Sequence, residues 1–130
     1  MKVDFGITYN NGDTQHTHSE DIFVESSDSG FIAFAEAVKS AGSPEHALKL
    51  LHEALTKGTF LYNHLLEIFS WRGHQKLDWD DVMVSFDSIS VDGKRFEISD
   101  VTIPANAPYN LRTIQIENAS PVSMYFIENY

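Results

Sequence analysis

The sequence contains no cysteine. This absence excludes a disulfide scaffold, a zinc ribbon and a thiol nucleophile, and it is typical of a protein of the reducing cytosol. Long hydrophobic runs are also missing, since no stretch reaches the ~18 apolar residues that a membrane span needs. Residues 1–10 lack the basic start and the apolar block of a signal peptide. We therefore expect a cytoplasmic protein that keeps its first residue.

Basic residues are scarce. The chain has 9 lysines and arginines against 19 aspartates and glutamates, which gives a formal net charge of -10. Such a chain repels the phosphates of DNA and RNA, so nucleic-acid binding is disfavoured. A basic protein would instead be attracted to it. The alternative is that the negative charge serves solubility alone.

Recognisable catalytic motifs are also absent. The sequence has no Gly-x-Ser-x-Gly elbow, no phosphate-binding glycine loop and no dinucleotide fingerprint. No Ser-His-Asp triad can be assembled from the sequence alone. We therefore expect no cofactor and assign no catalytic residue.

What the sequence does contain is enough apolar material for one core. The chain has 130 residues, 42% of them hydrophobic, and shows no repeat or linker, so we predict a single domain over 1–130. Period-two alternation predicts strands near both ends of the chain, and helical spacing predicts three helices between them. The predicted order is β-β-α-α-α-β-β-β-β. It indicates an α+β fold, a mostly antiparallel sheet of about six strands with three helices packed on one side.

The predicted helices have clear boundary signals. The first covers about 31–40 and is expected to end at Gly42. The second begins after Ser43, with a proline in its first position, and ends before Gly58. The third covers about 60–71 and is expected to stop at Gly73, with a polar loop over 72–81.

A hairpin turn at Asn11-Gly12 is predicted to connect the first two strands. A two-residue turn there would place His16 opposite Ile7 and His18 opposite Phe5. His16, His18 and Glu20 then project to one side of the second strand, which is the arrangement of a metal or acid–base site. The alternative is a pair of partly buried structural imidazoles, because a closed zinc site needs four ligands.

A second hairpin turn is predicted at Asp92-Gly93. The register that it sets pairs these residues: Val91 with Lys94, Ile89 with Phe96, Val84 with Val101, and Val82 with Ile103. The apolar alternation changes phase in the middle of both strands. We therefore expect a long hairpin that bends or twists strongly, so that its two ends bury opposite faces.

The excess of negative charge is unevenly distributed. Residues 1–30 carry one base and six acids, residues 31–75 carry four of each, and residues 76–130 carry four bases and nine acids. All the excess therefore belongs to the predicted strands and loops, and the helical layer is neutral. This segregation favours a functional acidic surface on the sheet or at its loop ends.

The segment Asp78-Trp79-Asp80-Asp81 is the most acidic candidate site. It lacks the glycine and the distal glutamate of an EF-hand, so a tryptophan anchor surrounded by carboxylates is favoured over a Ca²⁺ or Mg²⁺ site. The loop over 105–110 contains a tyrosine beside a proline and is a second candidate for recognition, or an ordinary connection. The predicted partner-binding residues are Asp78, Trp79, Asp80, Asp81, Asp87, Asp100 and Tyr109.

In size, charge and lack of catalytic motifs, the chain is similar to bacterial immunity proteins and phage-encoded inhibitors. That likeness implies an acidic, protein-binding inhibitor, which neutralises a basic nuclease-like toxin or a nucleic-acid-binding defence protein. A small metal-dependent enzyme that uses His16, His18 and Glu20 is one alternative. A structural or assembly subunit, as in a phage or a secretion system, is another.

Overall fold

A computed structural model of the chain describes residues 1–10, 17–56, 58–76, 81–102, 111–117 and 123–128. These residues form three helices and an antiparallel sheet, which confirms the predicted α+β fold and the predicted order of elements. The elements are β1 (Lys2–Asn10), β2 (Thr17–Glu25), α1 (Ser29–Lys39), α2 (Pro44–Ala54), α3 (Phe60–Lys76), β3 (Asp81–Val91), β4 (Lys94–Glu97), β5 (Leu111–Glu117) and β6 (Ser123–Glu128).

The sheet is organised around β3. Its strand order is β2-β1-β3-β5-β6, and β4 also pairs with β3. The turn at Asp92-Gly93 is confirmed, because both residues have the positive φ that a type I′ turn requires and Ile89 pairs with Phe96. The rest of the predicted hairpin is wrong. β4 ends at Glu97, and Val84 pairs with Ile114 of β5 rather than with Val101.

A β-bulge at Asp87 explains the change of phase in β3. Gly6 of β1 pairs with Ser88, and the next residue, Ile7, pairs with Phe86, so Asp87 is an extra residue on β3. The extra residue reverses the alternation, so that both halves of β3 bury the same face. The expectation that the two ends bury opposite faces is therefore wrong.

The register between β1 and β2 also differs from the prediction. Tyr9 lies opposite His18 and Ile7 opposite Glu20, a shift of four residues from the register of a two-residue turn at Asn11-Gly12. That turn itself lies outside the described residues. Because the shift is even, His18 still shares the face of the apolar residues of β1, as predicted.

The helix starts follow the sequence signals. The carboxylate of Asp28 accepts the Phe31 N–H at 2.9 Å at the start of α1, and Ser43 Oγ accepts the His46 N–H at 3.1 Å at the start of α2. Thr59 Oγ1 accepts the Tyr62 N–H at the start of α3. Each side chain satisfies a backbone donor that has no partner within its helix.

The end of α1 lies where the sequence predicts it, with Ser40 as the cap, and Lys94 Nζ donates to the carbonyls of Lys39 and Ala41 at 2.9 Å each. Gly42 lacks the positive φ of a glycine cap, so its predicted role is wrong, and so is the predicted end of α3. α3 continues through Gly73 to Lys76, so residues 72–76 are helical rather than loop. A glycine inside a helix costs only about 1 kcal/mol, which neighbouring helix-forming residues can offset.

One core joins the helices to one face of the sheet. On β1 the residues Val3, Phe5, Ile7 and Tyr9 are buried, and the residues between them are not. Phe5 stacks on Phe34 of α1 with ring centroids 6.4 Å apart. The opposite side of the sheet, called the outer face below, carries the polar residues of the strands. Among the described residues, no helix combines the length and the apolar character needed to cross a membrane.

We predict that Gly6 is required because Ser88 occupies the space where a side chain would be. A Cβ on Gly6 would lie 2.3 Å from Ser88 Oγ but 3.6 Å from Ser88 Cβ. We expect Gly6→Ala to lower the free energy of unfolding by roughly 1–3 kcal/mol, the usual cost of overpacking. In a Ser88→Ala background most of that cost should disappear, as measured by urea denaturation. An equal cost in both backgrounds would contradict this explanation.

Candidate functional site on the outer face of the sheet

Two rows of side chains cross the outer face from β2 to β4. The first row is Asp21, Gly6, Ser88 and Glu97, and the second is Phe23, Asp4, Ser90 and Arg95. Residues that face one another on adjacent strands lie close enough to interact. Acids of the first and the last acidic blocks of the sequence therefore lie on adjoining strands.

A row of hydroxyls borders these two rows. It consists of Ser19, Thr8, Ser85 and Thr113, and its members hydrogen-bond in pairs, Thr8 with Ser19 and Ser85 with Thr113, both at 3.2 Å. Thr8 Oγ1 also donates to the Asp87 carboxylate at 2.5 Å. Since a hydroxyl has one hydrogen, Ser19 must then donate to Thr8. The bulge thus points the Asp87 carboxylate along the outer face.

A hollow of about 360 Å³ lies between the rows. It is lined on the outer face by Gly6, Ser19, Asp21, Asp87, Ser88 and Arg95. Ser88 Oγ lies over Gly6, in the space that a side chain at position 6 would take. Ser88 is only 2% exposed, and its hydroxyl forms no hydrogen bond with the part of the chain that the structure describes.

The electrostatic field of this face is negative. Burial, together with the nearby Asp21 carboxylate, raises the pKa of Asp4 above its ordinary value, against the opposing effect of Arg95 and Lys2. Asp4 Oδ1 is buried without a hydrogen-bond partner among the described residues. The ionised form of Asp4 is therefore disfavoured where it lies.

Arg95 is already engaged on this face. Its Nε donates to Glu97 Oε1 at 2.6 Å, and this hydrogen bond, then the charge of Glu97, raises the pKa of the guanidinium. Both side chains are more than half exposed, so the pair contributes little to stability. Among the described residues, Asp4, Asp21 and Asp87 form no comparable ion pair.

An aromatic ring stands beside the carboxylates. Phe23 is 55% exposed, and it is the only large hydrophobic side chain found exposed among the described residues. Its ring is covered by a cation, since Lys2 Nζ lies 4.4 Å from the ring centroid. Aromatic side chains are enriched in protein–protein interfaces.

The structure brings together only part of the predicted partner-binding set. Asp87 lies on the outer face. Asp100 lies exposed in the turn after β4, which is held to the bulge because the Ser99 N–H donates to the Asp87 carbonyl at 3.2 Å. Asp81 begins β3 opposite Glu117, roughly 20 Å from Asp87 by the rise of a strand. Asp78, Trp79, Asp80 and Tyr109 lie outside the described residues.

Only His18 and Glu20 of the predicted histidine site lie among the described residues. His18 packs against Tyr9 with ring centroids 5.4 Å apart, and Glu20 lies partly buried opposite Ile7. His16 lies outside the described residues. Within the described ranges, no group of three or more histidines, aspartates and glutamates is placed to hold a metal ion.

A second cavity lies in the helical layer. It has a volume of about 550 Å³ and is mainly apolar, with Phe31, Phe34 and Phe60 in its wall and the carboxylates of Asp28 and Glu53 at its margin. Asp28 already caps α1. None of the residues that line this cavity lies on the outer face.

Sequence reasoning missed several residues of the outer face, namely Asp4, Gly6, Asp21, Phe23, Ser88 and Arg95. The period-two pattern of β1 could have identified Asp4, since it lies between two buried residues. Phe23 is hidden in the sequence because it stands between Ile22 and Val24, where a continuous apolar run gives no sign of which residue faces outward.

Comparison of the chain with protein-family models, with curated proteins and with solved structures finds no match. Its function must therefore be argued from the site.

We predict that ionised Asp4 destabilises the fold. A raised pKa means that the folded protein holds the proton of Asp4 more tightly than the unfolded chain, so the penalty is absent below the ordinary pKa of 3.8 and develops as the pH rises through the raised value. Asp4→Asn should therefore raise the free energy of unfolding at pH 7, by about 1 kcal/mol. The difference from the wild type should vanish near pH 3 in urea titrations.

The matched control is Glu36→Gln, which makes the same change of charge on an exposed position of α1. Its effect should stay within about 0.5 kcal/mol at either pH. A stability gain for Asp4→Asn that is the same at both pH values would rule out titration of Asp4 as the cause.

Proposed function

We propose that this protein is an inhibitor that binds a basic protein partner, of the immunity or antitoxin type, and that the outer face of the sheet is its contact surface. The target would be a nuclease-like toxin or another nucleic-acid-binding protein. Such proteins carry a basic cleft for phosphates, which a carboxylate-rich surface can occupy.

The observation that supports this proposal is the convergence of Asp4, Asp21 and Asp87. Two come from the first acidic block of the sequence and one from the last, yet all three lie on one side of the sheet. Two acids beside the helical layer have local roles, since Asp92 pairs with Lys39 at 3.1 Å and Asp28 caps α1. Asp4 and Asp21 form no ion pair among the described residues.

A surface of this kind acts mainly on the rate of association. Complementary charge steers a partner toward the surface and raises the on-rate, and added salt screens the effect. The exposed Phe23 would then supply apolar contact once the partner has docked.

The test is capture of partners from a lysate of the source organism. The wild type should retain a basic protein at about 50 mM salt and lose most of it at about 0.5 M salt, as expected when charge dominates binding. The double variant Asp4→Asn/Asp21→Asn should bind at least about tenfold more slowly in surface plasmon resonance with the captured protein. Addition of the wild type should suppress that protein's activity on nucleic acid.

The control is the pair Glu36→Gln/Glu67→Gln, which removes the same charge from exposed positions of α1 and α3. It should keep the on-rate close to that of the wild type. Retention that does not depend on salt, or an equal loss of on-rate in both double variants, would refute the outer face as the contact surface.

A further inference from the structure

We propose that the hollow on the outer face, together with the ring of Phe23, is a receptor site for one arginine side chain of the basic partner. This inference rests on the proposed function and names the group that is recognised. The site consists of the Ser88 hydroxyl over Gly6, the carboxylates of Asp21 and Asp87 and the ring of Phe23.

The hollow has a volume of about 360 Å³, which leaves room for a planar guanidinium. Its floor is the Ser88 hydroxyl, which lies over Gly6, since a Cβ at position 6 would stand 2.3 Å from Ser88 Oγ. The hollow is therefore built by the sequence at the crossing of β1 with β2 and β3.

The hollow presents hydrogen-bond acceptors from two strands. Asp21 reaches the hollow from β2 and Asp87 from the bulge of β3, so carboxylate oxygens approach from two sides. A guanidinium has five N–H donors in a fixed fork and can bond both carboxylates at once, whereas an ammonium acts as a point charge. This arrangement selects arginine over lysine.

Ser88 gives an observation that is independent of the acids. Ser88 as a whole residue is only 2% exposed, it lines the hollow, and its hydroxyl forms no hydrogen bond with the described residues. Buried hydroxyls are normally hydrogen-bonded. A guanidinium N–H in the hollow would give Ser88 Oγ the donor that it lacks.

The ring of Phe23 shows that a cation is already stabilised at this place. Lys2 Nζ lies 4.4 Å from the ring centroid, within the range of a cation–π interaction. Phe23 is two residues from Asp21 on the same side of β2, so the ring stands beside a residue that lines the hollow. In the complex, an arginine of the partner would take the position of Lys2 on the ring; Lys2 itself lies opposite Glu25 in the register of the two strands.

Arg95 also lines the hollow, and its charge is shared between Glu97, to which its Nε donates at 2.6 Å, and the more distant Asp21 and Asp4. The carboxylates of Asp4, Asp21 and Asp87 supply the field that an incoming guanidinium would meet.

The test uses two peptides of equal length, an oligo-arginine and an oligo-lysine, each titrated into the ¹⁵N-labelled full chain at low salt. We expect the arginine peptide to shift the amide resonances of Gly6, Asp21, Phe23 and Ser88. Its Kd should be about five- to tenfold lower than that of the lysine peptide, since tenfold corresponds to 1.4 kcal/mol and a cation–π contact with added hydrogen bonds supplies that much.

The variant that isolates the ring is Phe23→Leu, which keeps an apolar side chain at a position exposed enough to tolerate it. It should reduce the preference for arginine, because the contact of the ring with the planar guanidinium is lost while the two carboxylates that favour the guanidinium fork remain. Asp21→Asn should weaken both peptides, and Glu36→Gln should affect neither beyond the loss of one remote charge. Urea denaturation of each variant shows that the fold is kept.

The outcomes separate the arginine site from the acidic contact surface. Equal affinity of the two peptides for the outer face, or an arginine preference that is as large in both Phe23→Leu and Asp21→Asn as in the wild type, would overturn the arginine site while leaving the proposed acidic contact surface in place. If neither peptide shifts resonances of the outer face, both the arginine site and the contact surface are wrong.

Discussion

The arrangement of the sheet depends on the single extra residue at Asp87. Without it, the half of β3 that carries Val84 and Phe86 and the half that carries Ile89 and Val91 would bury opposite faces, and only one could pack on the helices. The bulge corrects the phase, so both halves pack on the same core. The carbonyl of Asp87 then accepts the N–H groups of Ile98 and Ser99, which leads the chain away from β3 and leaves that part of its edge to β5. The same residue directs its carboxylate to Thr8 on the outer face.

Much of the inner layer follows from the local sequence. The alternation of β1 gives Val3, Phe5, Ile7 and Tyr9 as buried, and helical spacing gives the buried stripe of α1. The Asp92-Gly93 turn is also local, since Asn-Gly and Asp-Gly pairs favour the two positive φ angles of a type I′ turn. These features are predictable because each depends on a few neighbouring residues and on which side of them is apolar.

The outer face was not predictable in the same way. A break in alternation between Phe86 and Ile89 has two physical solutions, a strongly twisted hairpin or a bulge, and only the pairing of β3 with β1 decides between them. That pairing joins residues about 80 positions apart, as the hydrogen bond from Thr8 to Asp87 shows. The proximity of Asp21, Gly6 and Ser88 depends on the same long-range contact, so no local pattern could group them. The charge distribution predicted an acidic sheet surface, but not which acids share it.

Beside the helical layer, positive side chains have negative partners, whereas the outer face carries more carboxylates than positive groups. Around the helical layer, Lys39 pairs with Asp92, and Lys94 satisfies the carbonyls at the end of α1. On the outer face, the fold instead holds Asp4 close enough to Asp21, and with enough burial, that its carboxylate is harder to ionise. Such an arrangement lowers stability, and replacing one acid by a neutral residue would relieve it. Solubility alone does not require it, because solubility depends on net charge and is served equally well by acids spread apart. We infer that carboxylates crowded around an open hollow, beside an exposed ring that already attracts a cation, are arranged for a positive group that another molecule provides.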